Sequence, residues 1–172
     1  DVKAYYLARS GVTFAIALLE EDAKTEPTNV DSLNELWAQK LPPIPLGDGF
    51  VSVEITDEDS RINVNKISTG FGTVNSATMR DLMHRFFKQF ESGEDTGNAI
   101  ADWTDTDDNE FIPGGAESNY YGSLDDPYEA KNKPLDSLQE LRLVKGMENG
   151  TYNKVHKFLT VHSDGWININ TA

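Results

Sequence analysis

Phe50-Val-Ser-Val-Glu-Ile-Thr-Asp-Glu-Asp-Ser-Arg-Ile-Asn-Val-Asn65 is the stretch on which the reading of the fold turns. Residues 50–55 alternate apolar and polar side chains, the two-residue period of a half-buried strand. Asp57-Glu-Asp-Ser60 supplies a turn and residues 61–65 resume the alternation, so the stretch predicts a β-hairpin. Its second arm has an echo. Ile167-Asn-Ile-Asn170, after His162-Ser-Asp-Gly-Trp166, repeats Ile62-Asn-Val-Asn65 at a distance of 105 residues. That distance is too long for a solenoid repeat. It predicts two strands of one sheet, apolar side chains inward and amides outward, with everything between them inserted into that sheet.

Upstream, residues 2–22 predict a helix, with Val2, Tyr5, Tyr6, Val12, Ala15, Ile16 and Leu19 at three- and four-residue spacing. Glu20, Glu21 and Asp22 oppose the macrodipole at its end. The helix has no N-terminal cap and the chain opens on Asp1 without Met, which suggests a piece cut from a longer precursor and the lower half of a longer helix. Asp31-Ser-Leu-Asn-Glu35 predicts a short capped helix through Leu33, Leu36 and Trp37, stopped by Pro42, Pro43 and Pro45. The insertion is helical. Met79, Leu82, Met83, Phe86, Phe87 and Phe90 form one stripe behind a candidate Ser76 cap, and a short helix carries Ile100 and Trp103. Ser137-Leu-Gln-Glu140 is a capping box followed by Leu141 and Leu143. A Gly146 turn and a helical stretch over 151–159 complete a unit like a helix-hairpin-helix or SAM-like module.

The 172 residues carry a formal charge of −14, concentrated in one place. Between Gln89 and Ala130 stand Glu91, Glu94, Asp95, Asp102, Asp105, Asp107, Asp108, Glu110, Glu117, Asp125, Asp126 and Glu129, with no Lys or Arg. The remaining 130 residues hold 17 acids against 15 bases. No basic face is available for nucleic acid or an anionic membrane. With 38% apolar and 10% aromatic residues the chain can bury a core, and no run of about 18 apolar residues spans a bilayer. The absence of cysteine removes disulfides, thiolate metal sites and a Cys nucleophile, while His84, His156 and His162 are too scattered for a zinc site. No phosphate loop, hydrolase elbow or dinucleotide fingerprint occurs.

Within the acidic stretch, Asp105, Asp107 and Asn109 alternate and Glu117 follows the Gly114-Gly115 turn. Ca²⁺ takes about 6–8 oxygens from carboxylates, amides and carbonyls, which this loop can supply. It is not an EF-hand: counted from Asp105, Glu110 stands where Gly is required and Ala116 where the closing Glu belongs. Two other readings stay open: a solvated loop without metal, and a pair of catalytic carboxylates acting on a glycan.

Eight motifs in order then carry a resemblance across nearly the whole chain. They are Tyr5-Tyr-Leu-Ala-Arg-Ser-Gly11, Asp102-Trp-Thr-Asp105, Gly115-Ala-Glu117, Tyr120-Tyr121, Pro127-Tyr128, Asn132-Lys-Pro134, Glu140-Leu-Arg-Leu-Val-Lys-Gly146 and Ile167-Asn-Ile-Asn-Thr171. Together they resemble the K-type minor pseudopilins of the bacterial type II (general) secretion pathway. The resemblance implies an α+β, pilin-like fold, an N-terminal helix packed on an antiparallel sheet, with a large inserted α-helical domain. The expected divisions are 1–68 (helix and first strands), 69–158 (inserted domain with the acidic loop) and 159–172 (return strand, with further strands beyond it). It implies a non-enzymatic structural subunit at the tip of the pseudopilus, partnered by I-type and J-type minor pseudopilins and in contact with secreted exoproteins. It would be a periplasmic domain anchored in the inner membrane by a preceding helix. It also implies bound Ca²⁺, with Asp105, Asp107, Glu117 and Asn119 as ligands and Asp108 and Asn132 beside them. The alternatives are a calcium-stabilised substrate-binding or adhesive module and a carboxylate-dependent glycan hydrolase.

Overall fold

Helix α1 forms where expected, but it packs through a different face. In the computed structural model, which describes residues 2–25, 30–70, 72–90 and 95–172, α1 runs from Val2 to Thr25. Glu91 and Glu94 of the acidic stretch lie outside the described residues. The chain divides into two units, residues 1–60 with 168–172, and residues 61–167. In the first, Gly11 is the buried residue of α1, and Leu7, Ala15, Leu18 and Asp22 beside it are half-buried. The absent side chain at Gly11 matters, because a Cβ there would lie 2.6 Å from Val51 Cγ1. The expected core stripe points the other way: Val2, Tyr5, Tyr6, Val12, Ile16 and Leu19 are all exposed, and only Ala15 belongs to the packed face.

The helix expected after Asp31 shrinks to a 3-10 turn, Leu36–Ala38, whose Trp37 is buried with its indole N–H donated to Glu35 Oε2 at 2.6 Å. Leu41 precedes a proline and so leaves helical backbone, which limits what could follow. Strands β1 (Ile44–Leu46) and β2 (Gly49–Val51) then form an antiparallel hairpin in the register Ile44↔Val51 and Leu46↔Gly49, across a loop in which Gly47 takes φ +59°.

The predicted hairpin of 50–55 with 61–65 does not form. Strand β2 pairs backwards with β1, and β3 (Ile62–Asn63) pairs in parallel with β4 (Leu159–Thr160). Nor is 167–170 a strand; it lies in a turn region. The repeat is nevertheless structural. Asn63 Oδ1 accepts from Asn65 N at 2.9 Å and Asn168 Oδ1 accepts from Asn170 N at 3.1 Å, so each Ile-Asn-X-Asn motif folds as the same Asx turn. Asparagine side chains that bond the backbone two residues on compete with a ladder, and here they win. Asn168 also donates to the Asp31 carbonyl and to Asp57 Oδ2, which ties the end of the chain into the first unit.

The second unit is built on helix α2 (Ser76–Gln89). Its cap is Asn75 rather than Ser76, with Asn75 Oδ1 accepting from Thr78 N at 2.9 Å. Met79, Met83 and Phe87 of the expected stripe are buried, and Leu82, Phe86 and Phe90 pack partly against the same core. Helix α3 (Thr96–Thr104) packs on α2 and is buried at every position but Asn98, a short rod in the core of this unit. Around it lie α4 (Ser118–Tyr121), a 3-10 turn Leu138–Leu143 opened by the Ser137/Glu140 capping box, and α5 (Asn149–Val155), which a 3-10 turn over His156–Phe158 continues. Burying Phe87, Ile100, Leu141 and Met147 fully, at roughly 1.5–3 kcal/mol each, is the main support of this core. Among the described residues no helix is long and apolar enough to cross a membrane.

Candidate metal centre

The acidic loop is folded by an acid inside the helix that precedes it. Asp102 sits in the last turn of α3, fully buried, and accepts from Ala116 N at 2.7 Å and from Phe111 N at 3.1 Å. These two bonds draw the chain after Asp105 back onto the end of α3. The turn is closed by Gly115 N donating to the Phe111 carbonyl at 2.8 Å. Gly115 is the only residue type that fits there: a Cβ would stand 2.1 Å from Asp102 Oδ2 and 2.6 Å from the Phe111 oxygen. Glu117 follows as the N-terminal flank of α4, with its side chain turned inward.

Glu117 is 1% exposed, and neither of its carboxylate oxygens has a hydrogen-bond partner. A carboxylate in this position costs several kcal/mol unless something positive meets it. What meets it are more acids: oxygens of Asp102, Asp105 and Glu117 all lie within 4.8 Å of one another. Burial, reinforced by repulsion from Asp102, Asp105, Asp108 and Asp107, pushes the Glu117 carboxyl up to about 8. Burial likewise pushes Asp102 up to about 6, against the two backbone N–H donors that favour its charged form. Asp105 is raised too, chiefly by burial.

Of the residues named from sequence, Asp105 and Glu117 converge in this triad. Asp107 and Asp108 are exposed and belong to a surface turn, where Asp107 Oδ1 accepts from Asn109 N and Asp108 Oδ1 from Asn132 Nδ2. Asn132 adopts φ +48°, donates also to the Asp107 carbonyl at 3.1 Å, and keeps its own Oδ1 buried without a partner. Asn119 is exposed on α4. Asp102 was not among the sequence candidates; its signals were its place in the Asp102-Trp-Thr-Asp105 motif and the three-residue spacing to Asp105 at a helix end. Asp22, Asp31 and Glu35 form another trio within 4.8 Å. Glu35 there has the Trp37 indole as a donor, which holds its carboxyl low, so nothing in that group calls for a cation.

The donor set is all oxygen, carboxylate-rich and shielded from water. That suits a hard divalent cation and suits Ca²⁺ over Mg²⁺, which sheds its water reluctantly. Residues 60–164 match the sequence model of the family described as type II secretion system (T2SS), protein K, and the chain belongs to that family. It is 29% identical over 177 residues to the type II secretion system protein K of Klebsiella pneumoniae, which covers 99% of this chain and 53% of that protein. To the Pseudomonas aeruginosa protein of the same name it is 30% identical over 178 residues, again 99% of this chain and 53% of that one. The chain thus spans about half the length of the curated relatives it matches. Its fold is similar to a chain in the crystal structure of the GspK-GspI-GspJ complex from the enterotoxigenic Escherichia coli Type 2 Secretion System. That likeness has a TM-score of 0.83 at 22% identity, over 98% of this chain and 61% of that one.

Proposed function

We propose that the protein is a minor pseudopilin of type II secretion, a non-enzymatic structural subunit that assembles with I-type and J-type partners at the pseudopilus tip, in the periplasm. The observation that carries this reading is the second apolar face of α1. One side of the helix packs through Leu7, Gly11, Ala15 and Leu18, and yet Tyr5 (61% exposed), Val12 (61%), Ile16 (52%) and Leu19 (40%) line another. Their spacing of seven, four and three residues makes a continuous strip, and such a strip on a soluble surface is an interaction site. A helix in a partner would cover it. The family's K-type members and the heteromeric complex of the similar structure supply the partner class, and a pilin-like helix on a sheet with an inserted helical domain is the architecture this reading assigns. The test is gel filtration with purified I- and J-type subunits. Ile16→Asp and Val12→Asp abolish co-elution while leaving the melting temperature unchanged; co-elution that survives the double substitution refutes the reading.

Calcium belongs to the same proposal and rests on Glu117. A buried carboxylate with no partner, beside two others, is explained by a cation held by Asp102, Asp105 and Glu117, with Asp107, Asp108, Asn119 and Asn132 at its margin. Its role is to cross-brace α3, the loop and α4. The glycan-hydrolase reading is the weaker one, since the burial of Asp102 and Glu117 favours an ion over a sugar as their ligand. Calorimetric titration with CaCl₂ tests the site directly.

A further inference from the structure

Lys145 is a half-buried cation that makes no ion pair among the described residues. Its Nζ donates to the Gly115 carbonyl at 3.1 Å and sits 4.8 Å from the centre of the Tyr120 ring. It stands in the Val144–Met147 turn, thirty residues from the loop it touches, and its own N–H donates to Tyr121 Oη at 3.3 Å. The carbonyl it holds and the N–H of Ala116 belong to one peptide group. That N–H is held at the other end by Asp102 Oδ2 at 2.7 Å. A buried acid and a lysine therefore grip a single peptide plane from opposite sides, immediately before the residue pair Ala116-Glu117.

We propose that Lys145 is a positioning residue for the cation: by fixing the 115–116 peptide it aims the Glu117 carboxylate into the triad. This rests on the reading of Asp102, Asp105 and Glu117 as a calcium site. A peptide gripped at only one end is held less firmly, and at Gly115, which has no side chain to anchor the backbone, the lysine contact is one of few restraints on its orientation. Pre-organised donors bind an ion more tightly than donors that must be ordered first.

The sign of the effect separates this role from plain electrostatics. Removing a positive charge from the turn that contacts the acidic loop would, by Coulomb's law alone, leave Ca²⁺ binding unchanged or tighten it. Loss of a positioning contact weakens it. Lys145→Met keeps the stem over Tyr120 and removes the donor, whereas Lys145→Arg keeps a donor and the charge. Calcium titration by calorimetry, with melting in chelator as the control, is the experiment. The expected result is about a tenfold loss of affinity for Lys145→Met, the scale of one charged hydrogen bond, with restoration by Lys145→Arg and a melt in chelator that stays cooperative, lowered only by the lost bond. Equal or tighter binding by Lys145→Met overturns the proposal. If the methionine variant does not fold, Lys145→Gln carries the same comparison. Failure of the unsubstituted protein to bind Ca²⁺ overturns the calcium reading itself, and that outcome is distinct from equal binding by both forms.

Discussion

Replacing Glu117 with glutamine separates what the triad costs from what it does. In the metal-free protein the carboxyl lies at about 8, against 4.5 for an unperturbed glutamate. The folded chain therefore holds a proton at pH 7 that the unfolded chain releases. An acid raised by folding favours the unfolded state as pH climbs from about 4.5 towards about 8. At roughly 1.4 kcal/mol per pH unit, the 2.5 units up to pH 7 amount to about 3 kcal/mol against folding. Glutamine removes that term. It leaves a buried amide without partners, which costs about 1–3 kcal/mol, so the net effect in chelator is a gain of about 1 kcal/mol, or a few degrees of melting temperature. With Ca²⁺ at about a thousand times its dissociation constant, the native protein gains about 4 kcal/mol that the variant lacks. The order of the two melts therefore inverts: Glu117→Gln above the native protein in EDTA, below it in CaCl₂. Scanning calorimetry in the two buffers reads this directly. If the variant melts lower by the same amount in both, Glu117 is a packing residue and the argument from its missing partners is wrong.

Calcium uptake must displace the Glu117 proton and part of that on Asp102, whose carboxyl lies at about 6. Titrations at pH 7 in buffers of different ionisation enthalpy are expected to show release of about one proton per ion, with affinity falling as pH drops from about 8 to 6; no buffer dependence refutes this. Gly115→Ala places a methyl group against Asp102 and the Phe111 backbone. Urea unfolding is expected to show a loss of about 1–3 kcal/mol or more, as for other overpacked sites, together with weakened Ca²⁺ binding. Phe87→Ala, by contrast, empties the core at a distance in sequence from the loop and is expected to cost about 3–5 kcal/mol with calcium affinity unchanged.

The limits of the sequence are visible in the same residues. Helix α2 is legible because its stripe of Met79, Met83 and Phe87 has only one apolar side to choose. On α1 the choice is ambiguous: Leu7, Ala15 and Leu18 offer one apolar face and Tyr5, Val12, Ile16 and Leu19 a richer one. The poorer face packs because Gly11 lets β2 come close, and a glycine carries no hydrophobic signal. The Ile-Asn-X-Asn repeat was legible as a repeat and misleading as a period, since alternation cannot distinguish a strand from an asparagine that bonds its own backbone. At the site, Asp105 and Glu117 stand out within a loop of acids, but Asp102 hides among apolar neighbours in α3. Nothing in Gly115-Ala116-Glu117-Ser118 announces that Glu117 will be buried. Burial is the property that matters. Most of the described acids of this stretch lie at the surface, where water screens them and no ligand is required. The three that oppose one another inside are the ones whose charge must be answered, in the metal-free protein by the proton that Glu117 holds and, on the function proposed above, by calcium.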